Sequence, residues 1–177
     1  LPYSGVDRSF RASVAEIRPP ATVTVEAEVG RHLPPSARNR PYRVEMTDAL
    51  TTFYLVFFHG NPDWISRNLP TGQRRIVSGK LELFDGMIQM VHPDHVLPPE
   101  DAGELPEFEP VYPLTQGVSQ RVMAKGAAAA LERMPDLPEW IDRSLKEAKG
   151  WPGWAEAVRA AHAPARAFVA GPRAGSP

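Results

Sequence analysis

Thr51-Thr-Phe-Tyr-Leu-Val-Phe-Phe-His-Gly-Asn-Pro-Asp-Trp-Ile-Ser-Arg-Asn-Leu69 is the stretch on which the fold turns. Its first eight residues are β-branched, aromatic or aliphatic, the composition of a strand. Gly60-Asn61-Pro62 breaks that strand, because proline has no amide donor and glycine and asparagine favour turns. Asp63 to Leu69 can then form a short helix, with Pro62 or Asp63 near its N-terminus. The element type therefore switches from strand to helix within three residues.

Strands flank this switch on both sides. Upstream, Thr22-Val-Thr-Val-Glu-Ala-Glu-Val29 alternates strictly, with Val23, Val25, Ala27 and Val29 on one face. That is the period-two pattern of a half-buried strand. After a turn-rich loop with Pro34, Pro35, Ser36 and Asn39, the residues Tyr42, Val44 and Met46 alternate with Arg43, Glu45 and Thr47. A short turn at Thr47-Asp48-Ala49 leads into the strand at 51–58. Downstream, Arg74 to Phe84 reads as a fourth strand, and Gly79 in its middle predicts a bulge or sharp coil. Asp85-Gly86 is a hairpin turn signal, and Met87 to His92 is the fifth strand, closed by Pro93.

Five short strands with a helix between the third and fourth is the order of the OB-fold, a partly open Greek-key barrel. A β-sandwich would need about seven strands and no intervening helix. The predicted fold class is mainly β with appended helices: an OB-fold barrel followed by a short helical segment. The predicted divisions are a lead-in at 1–20, the barrel at 21–93, an acidic Pro-rich connector without periodicity at 94–113, a helical segment at 114–164 and a flexible tail at 165–177. Within the helical segment Ser119 is the expected N-cap of a helix over Arg121 to Met134. Further helices are expected over Leu137 to Lys149 and Gly153 to His162.

Composition narrows the functions. The chain of 177 residues has no cysteine, which excludes disulfides, Cys-ligated zinc and thiol catalysis. No apolar run approaches the roughly 20 residues of a spanning helix, so no membrane partner is expected. Net charge is −1, but residues 1–80 carry eleven Lys/Arg against seven Asp/Glu, while 94–109 carry six acids and no Lys or Arg. The start at Leu1 and the linker-like close at Ala170-Gly-Pro-Arg-Ala-Gly-Ser-Pro177 read as a piece of a longer protein.

Catalytic signatures are missing: there is no Gly-x-x-x-x-Gly-Lys-Ser/Thr, Gly-x-Gly-x-x-Gly or His-Glu-x-x-His spacing. His92-Pro93-Asp94-His95 is the one compact ligand-like cluster, and a capped strand end is its simpler reading. His32, His59 and His162 are scattered and read as surface or loop groups.

Binding has more behind it. OB-fold ligands lie across the second and third strands and under the loops joining strands 1–2 and 4–5. Arg31, His32, Arg38 and Arg40 fall in the first of these loops, and Arg43 opens the second strand, with no acid between Arg31 and Arg43. Such a loop can track phosphates without reading sequence. On the third strand Phe53, Leu55 and Phe57 share one face while Tyr54, Val56 and Phe58 share the other. Period two sends Phe57 into the barrel and Phe58 out at its rim. Trp64 lies six residues on, on the short helix, with Arg67 one turn further. Exposed aromatic rings stack on bases at roughly 1–3 kcal/mol per base. The alternative reading is that Phe58 and Trp64 pack on each other or under the appended helices.

The segment resembles the wedge domain of the bacterial ATP-dependent DNA helicase family RecG. The strings that carry the resemblance are Leu55-Val-Phe-Phe58, Val77-Ser-Gly-Lys80, Gln89-Met-Val-His-Pro93 and above all Val111-Tyr-Pro-Leu-Thr-Gln-Gly-Val-Ser-Gln120. Leu137-Pro-Glu-Trp140 and Ala161-His-Ala-Pro164 add to it. The resemblance implies an OB-fold that sits at the branch point of stalled forks and recombination intermediates and splits strands, while motor domains absent from this segment translocate with ATP and magnesium. It implies no catalysis by the segment alone, a monomer, and a bacterial cytoplasmic, nucleoid-associated setting. It implies that Phe58 and Trp64 stack on bases at the junction. The family often spaces the two aromatics by four residues, whereas here they are six apart. Two other readings stay open: an OB module for single-stranded DNA or RNA, and an OB-fold for protein or oligosaccharide contact.

Overall fold

The computed structural model describes residues 1–37, 39–135 and 137–163. It divides into two compact units, one of Arg8–Glu107 and one of Leu1–Asp7 with the residues from Phe108 on. In chain order the elements are β1 (Ser4–Asp7), β2 (Phe10–Arg11), β3 (Ala21–Leu33), β4 (Tyr42–Thr47), β5 (Thr52–Phe57), α1 (Pro62–Asn68), β6 (Arg74–Phe84), β7 (Met87–Val91), β8 (His95–Leu97), β9 (Phe108–Val111), α2 (Gln120–Glu132), α3 (Arg143–Lys149) and α4 (Trp154–His162).

The five strands read from the alternation pattern, β3 to β7, close into a ring. β3 pairs with β4, β4 with β5, β5 with β7, β7 with β6, and β6 returns to β3. Every pairing is antiparallel except β5 with β7, which is parallel. A parallel neighbour cannot be reached through a tight turn. The chain makes that crossing through α1 and β6, which is why a helix is needed between the third and fourth barrel strands.

The inward faces are those that the alternation predicts. Val23, Val25, Ala27, Val29, Val44, Met46, Phe53, Leu55 and Phe57 are buried in one core with Val77, Leu81 and Met90. Ile65 of α1 and Leu69, which caps its C-terminus, are fully buried in this core. Its start is built locally: Pro62 fills the first helical position, and the Asn61 side chain accepts a hydrogen bond from the Asp63 amide at 2.9 Å. The hairpin between β6 and β7 turns on Asp85 and Gly86, whose φ values of 51° and 75° are those a two-residue I′ turn requires.

Several expectations change. The register of β6 against β3 runs unbroken from Ala21↔Leu81 to Glu28↔Arg74, so Gly79 is not a bulge. A Cβ there would lie 2.9 Å from Met90 Sδ and 3.1 Å from the Pro93 Cα, and only glycine permits this approach. At this point the other edge of β6 changes partner, from β8 up to Ser78 to β7 from Leu81. The register shift falls instead in β3, between Val29 and His32.

Residues 8–20, read as lead-in, are part of the barrel unit. β2 lies parallel on β3, and Val14 is fully buried. The Arg8 guanidinium is buried, donating to Ser78 Oγ at 3.0 Å and pairing with Asp94 at 3.0 Å, while Ser78 and Thr24 share a hydrogen bond of 2.7 Å. Asp48 ties the same segment to the β4–β5 turn. It accepts from Ser13 Oγ and from the amides of Val14, Leu50 and Thr51, all at 2.8–2.9 Å. Burial alone would raise the Asp48 pKa, but these bonds to its charged form outweigh burial and hold it below the ordinary carboxylate value.

The connector at 94–113 also has regular structure. β8 pairs with β6, Pro99–Glu104 forms a 3-10 helix, and β9 pairs with β1 inside the second unit. In that unit Ser119 caps α2 by accepting from the Val122 amide, as expected. The next helix starts at Arg143, not Leu137, with Asp142 as its N-cap, because Pro138 and the residues around it hold the chain out of helical geometry. Tyr112, buried behind β9, bonds through its hydroxyl to His162 Nδ1 at 2.9 Å, and burial raises its pKa. His162 is thus a paired group. The tail expected at 165–177 lies outside the described residues.

Candidate nucleic-acid interface

The outer face of the ring is built in rows. Register places Arg43 of β4 beside Val56 of β5 and Val56 beside Val91 of β7. The next row runs from Tyr54 of β5 to Gln89 of β7 to Glu82 of β6. A groove of about 400 Å3 lies over these rows. Arg40, Arg43, Phe58, Phe84, Gln89 and Glu82 border it. Val56 is buried although it belongs to the outward-facing set.

Period two separates the two phenylalanines as expected. Phe57 is 6% exposed and Phe58 is 53% exposed. The position of Phe58 is held by a residue the sequence reading set aside. His92 Nε2 accepts a hydrogen bond from the Phe58 amide at 3.2 Å, and the His92 amide donates to the Val56 carbonyl at 2.9 Å. Its imidazole meets Phe57 edge-on at 6.1 Å, lies tilted against Phe58 at 6.1 Å and stacks on His59 at 6.5 Å. His92 reaches this place through a left-handed backbone, φ 46°, which is uncommon for a side-chain-bearing residue. The ligand-like string His92 to His95 is therefore split: His92 faces Phe58 and Asp94 faces Arg8. Among the described residues no group of three or more His, Asp or Glu is gathered in a metal-binding arrangement.

Of the seven residues singled out from the sequence, Arg40, Arg43 and Phe58 come together at the groove. Among the described residues neither Arg40 nor Arg43 has an ion-pair partner. Arg31 lies at the β3 register shift and pairs with Glu45 of β4 at 3.0 Å. The hydrogen bond that Arg31 donates to Glu45, and then the Glu45 charge, raise the Arg31 pKa. Trp64 meets the ring of Phe57, not that of Phe58, edge-on at 6.3 Å and is 43% exposed. Arg67 donates to the Asp63 carbonyl on the same helix at 3.2 Å. Arg38 lies outside the described residues. His32, expected as a loop or surface group, is a clamp. Its Nε2 sits 2.7 Å from the Leu69 carbonyl and its Nδ1 2.9 Å from the Tyr42 hydroxyl. A carbonyl only accepts, so Nε2 carries a proton and donates to Leu69.

Phe84 and Gln89 are the groove residues that sequence reasoning missed. The available signal was their place beside the Asp85-Gly86 turn, since the loop between the last two barrel strands is one that OB-folds use for ligands.

Ring order, the parallel β5–β7 pair and the helix between β5 and β6 make this an OB-fold barrel, and its outer groove is bordered by Arg40, Arg43, Phe58 and Phe84. No protein-family model matches the chain. It is 27% identical over 168 residues to the ATP-dependent DNA helicase RecG of Escherichia coli O127:H6 (strain E2348/69 / EPEC), an alignment covering 93% of this chain and 24% of that protein. RecG of Escherichia coli O157:H7 matches with the same identity and coverage. Among solved structures, RecG bound to a three-way DNA junction matches with a TM-score of 0.76 and 21% identity, over 92% of this chain and 23% of that one. In sequence the chain is similar to a segment of RecG, and in fold to a part of the junction-bound RecG structure. It spans about a quarter of the length of the curated relatives it matches.

Proposed function

We propose that this segment is the branched-DNA-binding wedge of a RecG-like, ATP-dependent DNA helicase that acts on stalled replication forks and recombination intermediates in bacterial DNA repair. The observation that carries the reading is the groove itself, where a half-exposed Phe58 held by His92 shares one barrel face with Arg40 and Arg43. A ring presented at the rim of a rigid barrel can stack on the base exposed where a duplex parts, while the two guanidiniums take adjacent phosphates. The solved RecG structure of the same fold holds a three-way junction, which supports this reading.

Strand separation needs only that the barrel stay in place while duplex is drawn against it. The drawing requires a motor. The residues here do not fit ATP, since no glycine loop ending in Lys-Ser or Lys-Thr occurs in the sequence. ATP and magnesium would belong to a motor elsewhere in the parent protein, with this segment contributing as a monomer.

A labelled three-way fork and a single strand of equal length, titrated at low and high salt, test the proposal. Tighter binding to the fork, falling as salt rises, is expected. Equal affinity for both DNAs would favour a general single-strand module, and no salt-dependent binding would point to a protein or oligosaccharide ligand.

A further inference from the structure

Between Val29 and His32 the chain of β3 advances three residues while β4 opposite advances two, from Met46 to Val44. The extra residue is a β-bulge, and a bulge re-aims the side chains that follow it. In an unbroken strand Arg31 would stand opposite Val44 and share its buried inner face. The bulge puts His32 there instead, and Arg31 pairs with Glu45. The segment that follows α1 takes up the backbone groups around the bulge. The Gly72 amide donates to the Val29 carbonyl at 2.8 Å, the Val29 amide to the Gln73 carbonyl at 2.9 Å, and the Thr71 hydroxyl to the Gly30 carbonyl at 3.1 Å. His32 then closes a circuit of contacts around α1. Its Nε2 donates to the carbonyl of Leu69, the C-cap of α1, and its Nδ1 meets the Tyr42 hydroxyl. Tyr42 stands opposite Phe57 in the β4–β5 register, and Phe57 meets Trp64 edge-on. From Trp64, α1 leads back to Leu69. Within it the Asn68 amide donates to the Trp64 carbonyl at 2.8 Å, while Arg75 of β6 donates to the Asn68 carbonyl at 2.8 Å.

We infer that His32 is a positioning residue: it seats α1 on the barrel and so fixes where the exposed edge of Trp64 points. The inference rests on the junction-binding reading for its last step, that Trp64 so placed meets the DNA. Two features set His32 apart from a residue that merely fills space. A helix of seven residues does not hold itself in water, so its placement depends on contacts from outside it. An aliphatic side chain at position 32 would occupy the same place and leave both the Leu69 carbonyl and the Tyr42 hydroxyl without this partner. A histidine reaches two elements from one rigid ring, one nitrogen to the end of α1 and the other to β4, so the seat of the helix is set by the geometry of the ring.

The test uses the full 177-residue chain labelled with fluorotryptophan, whose four tryptophans are followed by fluorine NMR, the Trp64 signal being assigned with Trp64→Phe. His32→Ala should speed hydrogen exchange at the Leu69 amide, which bonds the Ile65 carbonyl at 2.9 Å, by about tenfold. It should move the Trp64 signal and leave the other three in place, and it should weaken fork binding about fivefold. His32→Gln, whose amide can still donate to Leu69, should recover much of all three effects. Tyr42→Phe, which spares that bond, should perturb each less than His32→Ala does. Leu81→Ala is the control for lost stability, because it opens the core six residues along β6 from Arg75, and the Trp64 signal should not follow it. A parent-like Leu69 exchange and Trp64 signal in His32→Ala, or an equal displacement of that signal in Leu81→Ala, would show that His32 does not seat α1. Parent-like fork binding in His32→Ala while Phe58→Ala binds weakly refutes the inference and leaves the junction reading standing; unchanged binding in both variants overturns the two together.

Discussion

Phe57 and Phe58 are adjacent in sequence and identical in chemistry, so replacing each by alanine isolates the effect of strand parity. Phe57 is 6% exposed and packs edge-on against Trp64 at 6.3 Å and His92 at 6.1 Å. Its Cβ also lies so close to Gly60 that a Cβ on that glycine would come within 2.9 Å, which leaves little slack for collapse. Phe57→Ala should therefore cost the full price of a buried aromatic, about 3–5 kcal/mol. Phe58 is 53% exposed, so about half its ring is already in water. Half of the ~1.5–3 kcal/mol for burying such a side chain is about 1 kcal/mol, with no cavity term because the vacated space opens to solvent. In urea, with a slope near ~2 kcal/mol/M, Phe57→Ala should lower the midpoint by about 1.5–2.5 M and Phe58→Ala by about 0.5 M. Junction binding should respond in the opposite order for natively folded protein: Phe58→Ala loses stacking worth about 1–3 kcal/mol, and Phe57→Ala loses little. Equal or inverted midpoint shifts, measured by circular dichroism on both variants, would refute the parity argument and remove Phe58 from the interface.

Three further outcomes follow from other parts of the barrel. Asp48→Asn should cost about 1.5–3 kcal/mol at neutral pH, since one of its two accepting oxygens becomes a donor facing donors. The Asp48 pKa is lowered on folding, so its contribution is present above the unfolded value near ~3.9 and lost as pH falls through the folded value; acid titration should show a stability loss that Asp48→Asn largely lacks. His92→Phe keeps the ring but offers no acceptor to the Phe58 amide, so hydrogen exchange at that amide should speed up and fork binding should weaken, while His92→Gln, which retains an acceptor of similar reach, should recover part of both. Replacing Arg40 and Arg43 together by alanine should lower fork affinity and reduce the slope of log affinity against log salt by about 2 without shifting the melting temperature, because neither side chain is an ion-pair partner among the described residues.

Much of the barrel was legible because its signals are local. Strict alternation over 22–29, the breaker Gly60-Asn61-Pro62 and the Asp85-Gly86 turn each act through residues within a few positions of one another, and strand period alone separates Phe57 from Phe58. The arginines before and after Pro41 were visible for the same reason. What tertiary structure decided are the long-range pairings. The buried Arg8 guanidinium donates to Ser78 and Asp94, 70 and 86 residues away. Gly79 is glycine because Met90 and Pro93 pass against it, and His92 matters because the ring closure of β7 beside β5 brings it under the Phe58 amide. Phe84 shares a groove with Arg43 and Phe58 because β4, β5, β7 and β6 lie side by side in the ring. A hydrophobic pattern states which face of a strand is wet. Which other wet faces adjoin it is set by the order of strands around the barrel, and no single stretch of chain contains that order.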